Sequence, residues 1–153
     1  MTEDKQEGYT LLKMLPEQVS NNWDFLAPYL ELSMPPMVMQ RRARMANVLR
    51  AVLVEDLIVW GFWDKDKNLK YVLSTVVQTD KVSLVKDLLI YSFTSVDGQI
   101  GLHHLKIGIE ILQKYAKNLD CLSILAYVDE PTIKAALERM GGKSNFNLIQ
   151  IPT

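Results

Sequence analysis

Apolar residues recur along this chain at two periods, and each change of period marks an element. Residues 1–8 (MTEDKQEG) are polar and predict a lead-in, while Tyr9–Met14 is more apolar and predicts a short edge strand. Leu15-Pro16-Glu17 opens a helix, with the proline at an early position where its missing N–H costs little. Val19, Trp23, Leu26, Tyr29 and Leu30 then return at helical spacing and give one apolar face. Pro28 predicts a kink or a nearby boundary, and Pro35-Pro36 ends the helix. A second helix is predicted over Met37–Val52, with Met45, Val48, Leu49 and Val52 inside and Arg41, Arg42, Arg44 and Arg50 mostly outside.

The period then shortens. Leu57–Asp64 (LIVWGFWD) is aromatic and β-branched, Lys65–Asn68 is a polar turn, and Leu69–Gln78 is the return strand of a hairpin. After the turn Thr79-Asp80-Lys81, a third antiparallel strand covers Lys86–Val96. Leu102, Leu105, Ile109, Leu112, Ala116 and Leu119 mark a long helix, and Ile107, Ile111 and Tyr115 widen its apolar surface enough to predict cover on both sides. Leu122–Val128 predicts a buried strand, parallel to the one before the helix because a crossover separates them. Pro131 starts a short helix (TIKAALERM) that Gly141-Gly142 terminates, and Phe146–Ile151 predicts a last strand. The order is (β)-α-α-β-β-β-α-β-α-β. It describes an α+β fold, a mixed, mostly antiparallel sheet with helices on both faces, in a single domain over residues 1–153.

Composition narrows the classes. A chain of 153 residues buries roughly 68–70% of its unfolded surface, so no disulfide or metal is needed to hold it. Lys plus Arg is 17 against 18 for Asp plus Glu, which argues against a protein that coats nucleic acid. The single cysteine, Cys121, excludes an internal disulfide and lies among apolar neighbours, so it reads as a small buried residue. No apolar run reaches the roughly 18–20 residues a membrane span requires, and the acidic start resembles neither a secretory signal nor a transit peptide. The expectation is a cytoplasmic protein.

The chemistry concentrates between Asp87 and Leu119. An apolar strand, LLIYSFTSV, runs into Asp97-Gly98-Gln99-Ile100-Gly101, and the long helix opens at about Leu102. Strand, glycine loop and helix N-terminus in that order let backbone N–H groups converge on an anion, typically a phosphate. His103 and His104 open the helix and read either as an exposed polar pair or as a phosphate donor or base. No HxxxH or CxxC spacing occurs, so no metal site is expected. Arg41, Arg42 and Arg44 read as a solvated helix face or as a grip on a phosphate or an acidic partner. Trp23, Trp60 and Trp63 read as core anchors, with Trp60 and Phe62 on one sheet face and Trp63 on the other. Tyr91 and Tyr127 fall on adjacent strands and could line an acceptor cleft or pack in the core with their hydroxyls at its rim. The apolar connection Met34–Met39 reads as buried over the sheet edge or as a partner surface.

From about Tyr9 to Ile151, the element order, the strand–glycine loop–long helix unit and the closing PTIKAALERMGGKSNFNLIQI resemble the GNAT superfamily of acetyl-coenzyme A-dependent N-acyltransferases. Ile90-Tyr91-Ser92-Phe93 and Tyr115-Ala116-Lys117 through Cys121 are similar to a divergent bacteriophage-type group within it. The resemblance implies acetyl-coenzyme A as cofactor, an amine as acceptor, and a cofactor site at Phe93, Thr94, Gly98, Gln99, Ile100, Gly101 and Leu102. Asp87 would be the base that deprotonates the amine. A β-bulge N–H near Ser92, Phe93 and Thr94 would polarise the thioester carbonyl. Two departures stand out. Leu102-His103 replaces the second small residue of the loop, and Leu137 replaces a tyrosine that gives a proton to the departing thiolate in many members. The rival implication is a catalytically inactive module of the same fold, a phage or virion protein that binds a phage or host partner.

Overall fold

Among the described residues, six strands lie side by side in chain order and form one sheet: β1 (Asp4–Gln6), β2 (Tyr9–Lys13), β3 (Ile58–Trp63), β4 (Leu69–Thr79), β5 (Lys86–Ser95) and β6 (Ser123–Ala126). The computed structural model describes residues 4–6, 8–35, 44–144 and 149–153. Neighbouring strands are antiparallel from β1 to β5, and β6 joins β5 in parallel after a helical crossover. Strand alternation sorts the apolar residues onto two faces. Trp60, Phe62, Tyr71, Leu73 and Leu88 share a cluster with Ile107, Ile111, Leu112 and Ala116 of the long helix α4 (Leu102–Asn118). Val59 and Val72 face the other way, onto Val19 of α1 (Pro16–Asn21), Leu26 and Leu30 of α2 (Trp23–Leu32), and Val52 of α3 (Met45–Leu53). Each large apolar side chain buried this way contributes about 1.5–3 kcal/mol.

Local chemistry sets the boundaries. The Leu15 N–H donates to Gln18 Oε1 at 2.8 Å, while Pro16 fills the first helical position without wasting a donor. The β3–β4 turn is built on Asp64, whose Oδ1 accepts from the amides of Asp66 and Asn68, both at 2.9 Å. At Gly61 the rings of Trp63 and the Met14 side chain lie where a Cβ would project, so a larger residue would displace them. The last helix, α5 (Pro131–Arg139), is capped by Glu130, which accepts from Thr132 N–H and Ile133 N–H. It closes on Gly141 at φ +94°, where Gly142 N–H reaches back to the Leu137 carbonyl.

The sequence reading needs correction in several places. Asp4–Gln6, expected as a polar lead-in, pairs with β2, so β2 is not the sheet edge. The first predicted helix is two, divided at Asn22, while Pro28 sits inside α2. The break falls at Asn22 because that residue leaves helical geometry and its side chain caps the Gln18 carbonyl at 2.8 Å. α4 is buried on one side, and Leu102 at its start is exposed. The strand expected to be buried at Leu122–Val128 shortens to β6 and is mostly exposed, with Ile124 half-buried against the α4 cluster. Ile149–Ile151, expected in a last strand, lies outside the sheet with Ile149 and Ile151 in solvent; with no strand partner among the described residues, its apolar alternation gains no burial. The start of that segment, the helix start at Met37 and Arg41, Arg42, Met37, Val38 and Met39 lie outside the described residues. Met34 is buried. Cys121 is half-buried at the margin of the α4 cluster rather than enclosed.

Candidate functional site

The loop from β5 to α4 holds its shape through its own polar groups. Asp97 Oδ1 accepts from Gln99 N–H at 3.0 Å and from Ser95 Oγ at 2.8 Å. These bonds hold the Asp97 carboxyl below the usual carboxylate range, the Gln99 amide having the largest effect. Lys70 Nζ stands 3.6 Å from the same carboxylate. Gly98 turns the chain at φ +80°, where a side chain would be strained. Gly101 N–H donates to Tyr71 Oη at 3.0 Å, and Gly101 is the cap from which α4 starts. Two expected donors, Gln99 and Gly101, therefore have their amides committed within the protein. Among the described residues, the amides of Gly98, Ile100 and Leu102 have no hydrogen-bond partner, and all three residues are exposed. The positive end of the α4 dipole lies behind them.

Tyr71 ties this loop to the sheet. Its oxygen accepts from Gly101 and shares a hydrogen bond of 2.8 Å with His104 Nδ1, the direction of which is set by the imidazole tautomer. Burial lowers the His104 pKa from 6.5, with the neighbouring His103 adding to the effect, and burial raises that of Tyr71. His104 lies against Tyr9 with centroids 4.7 Å apart, and Tyr71 stacks on Phe93 at 5.4 Å. The two histidines, read as one polar pair, thus divide: His104 is half-buried in an aromatic cluster and His103 is exposed. Neither Lys70 nor Tyr71 stood out in the sequence. Their signal is register, because Tyr71 pairs with Ser95 at the foot of the loop.

β5 carries the expected irregularity. Ser74 pairs with Ser92 and Thr75 with Ile90, so Tyr91 is the extra residue of a bulge. The bulge lies next to Ser92 rather than within Ser92–Thr94, and Ser74 and Ser92, both buried, hydrogen-bond beside it. β6 leaves β5 at the same level: its last partner pair is Ile90 with Ala126, and among the described residues β5 continues to Ser95 without a neighbour on that side. Tyr91 and the exposed Tyr127 stand on the two sides of this opening. Tyr91 has a raised pKa, chiefly from burial and then from the nearby Tyr127. Tyr91 also lines a cavity of about 390 Å³ between α3 and the sheet.

Not every expected site residue gathers here. Phe93 points into the α4 core, and Thr94 Oγ1 donates to the Tyr29 carbonyl at 2.9 Å, so only their backbone faces the opening. Asp87 sits at the other end of β5, where its carboxylate accepts from Ser123 Oγ at 2.6 Å beside a polar cavity of about 400 Å³. Leu88, Leu89 and Ile90 separate it from the bulge, and the structure does not bring it to the loop. Among the described residues, no group of three or more His, Cys, Asp or Glu side chains could hold a metal ion, and no helix is long and apolar enough to cross a membrane.

No family model matches the sequence. No curated protein matches it either. Solved structures do. An aminoglycoside acetyltransferase from an uncultured soil metagenomic sample is 14% identical with a TM-score of 0.67, over 95% of this chain and 98% of its own. Glucosamine-6-phosphate N-acetyltransferase from Arabidopsis thaliana is 12% identical with a TM-score of 0.61, over 94% and 97%. Ribosomal-protein-alanine N-acetyltransferase from Brucella melitensis biovar Abortus 2308 is 12% identical with a TM-score of 0.62, over 94% and 99%. Identities this low speak for the fold alone, and that fold is the mixed α+β fold of the GNAT acetyltransferases.

Proposed function

We propose that this protein is an acetyl-coenzyme A-dependent N-acetyltransferase whose cofactor enters the opening between β5 and β6. The observation that carries the reading is the coincidence at one level of β5 of the bulge at Tyr91, the departure of β6 after Ala126, and the loop whose Gly98, Ile100 and Leu102 amides are unengaged. The diphosphate would lie on those amides at the α4 N-terminus. The amide-bearing arm of the cofactor would run along the unpaired edge of Tyr91–Ser95, where strand-like hydrogen bonds are open to it. That arm carries the thioester toward the bulge, and amide formation follows by direct attack once both substrates are held.

The residues assign roles unevenly. With Leu137 in place of the expected tyrosine, the phenols of Tyr91 and Tyr127 are the groups at the opening that could return a proton to the departing thiolate. Asp87 is too far along β5 to serve this opening directly, so deprotonation of the amine would fall to solvent or to a group the acceptor brings. A non-catalytic protein-binding module of the same fold is the second reading. The committed amides of Gln99 and Gly101 and the acidic Asp97 in the loop favour it.

The test is thermal. Acetyl-coenzyme A at about a hundred times its Kd should stabilise the protein by about 2.7 kcal/mol, read as a rise in melting temperature. Ile100→Glu places a carboxylate among the open amides at an exposed position and should abolish that rise while leaving the melting temperature of the free protein close to wild type. Absence of any rise in wild type at millimolar cofactor would remove the transferase reading.

A further inference from the structure

The cavity of about 390 Å³ that Tyr91 helps to line has a mixed lining that the cofactor reading does not use. Val48 of α3, Leu57 before β3 and Val76 of β4 give it an apolar floor. Arg44, just before α3, and Asp56, between α3 and β3, stand at its rim, exposed and opposite in charge. Among the described residues neither enters an ion pair. The cavity lies on the α1–α3 side of the sheet and shares Tyr91 with the bulge, so an occupant reaches the strand level where the thioester would arrive.

We infer that this cavity is the acceptor site and that its acceptor is a small free amino acid with an apolar side chain. An apolar floor recognises the side chain, Arg44 pairs with the carboxylate, and Asp56 receives the ammonium. A peptide N-terminus would leave Arg44 without an anion, and a plain alkylamine would do the same. This inference rests on the acetyl-transfer reading for its reaction. The ammonium first releases one proton to solvent; the neutral amine attacks the thioester carbonyl, a C–N bond forms and the C–S bond breaks, and the second proton lost by the nitrogen goes to the departing thiolate. The products are an N-acetyl amino acid and free coenzyme A.

Isothermal titration of the full chain with L-leucine, isoamylamine and isocaproate separates the contributions, because the three share a skeleton and differ in charge. Leucine should bind at least about tenfold more tightly than either relative, a difference of about 1.4 kcal/mol. Arg44→Ala should reduce leucine to the affinity of isoamylamine, and Asp56→Asn should reduce it to that of isocaproate. Both positions are exposed, so the variants should fold. Equal binding of the three probes, no binding of leucine at millimolar concentration, or an unchanged preference in both variants would overturn the inference. Parallel titrations with acetyl-coenzyme A keep the two readings apart. Leucine binding without cofactor binding removes the transferase and leaves the amino acid site, whereas cofactor binding without leucine removes this acceptor alone.

Discussion

The two halves of β5 belong to one strand and have different surroundings. From Asp87 to Ile90 the strand is paired on both edges, to β4 and to β6, and Leu88 is 1% exposed. From Tyr91 to Ser95 it is paired, among the described residues, on the β4 edge only, the bulge shifts its register, and most of its side chains are half-buried. The first half is built for stability and the second for access. The dividing point is one inserted residue, which turns the strand as β6 departs.

That contrast can be broken from either side. The largest effect should come from the closed half: Leu88→Ala should cost about 2–5 kcal/mol in urea unfolding, with the cofactor-induced increment in melting temperature unchanged. A variant that lost the increment together with stability would show that the halves are not separable. Tyr71→Phe comes next. It leaves the Gly101 amide and His104 without their shared partner and should destabilise by about 1–3 kcal/mol while weakening any cofactor binding, both readable in one thermal titration. Asp97→Asn should act in the other direction on binding. The amide oxygen can still accept from Gln99 and Ser95, but a negative charge leaves the anion's neighbourhood, so acetyl-coenzyme A affinity should rise about threefold in calorimetry. The smallest effect is on pH. His104 binds its proton less readily folded than unfolded, where its pKa is 6.5, so its contribution to stability is complete above that value and lost as pH falls from there through the lower folded value. Wild type should lose more stability than His104→Gln between about pH 7.5 and about pH 5.5, a range where carboxylates change little.

The closed half was easier to read than the open one, and the reason is physical. Hydrophobic periodicity reports burial against neighbours, so β3, β4, β5 and α4, each with a covered face, stood out with nearly correct bounds. The same signal misled at Leu122–Val128 and Ile149–Ile151, where apolar residues are not enclosed. The glycine loop was visible because Gly98 supplies a turn and Gly101 a helix start. What its amides bind was not visible. Tyr71, distant in sequence, takes one, and Asp97 takes another by a short-range bond that leaves no periodic trace. Asp87 reads as a candidate base because it precedes the central strand, but an extended strand carries its two ends far apart, and the loop is at the other end.

The parallel pairing of β5 with β6 also sets an order in time. β3, β4 and β5 are joined by short turns and can zip together locally, whereas β6 must wait until the whole of α4 has formed and swung across the sheet. The wall of the opening should therefore be the last piece to dock during folding and among the first to detach. Amide protons of Ser123–Ala126 would then exchange well before those of β4, and a ligand that bridges the two strands would slow that exchange.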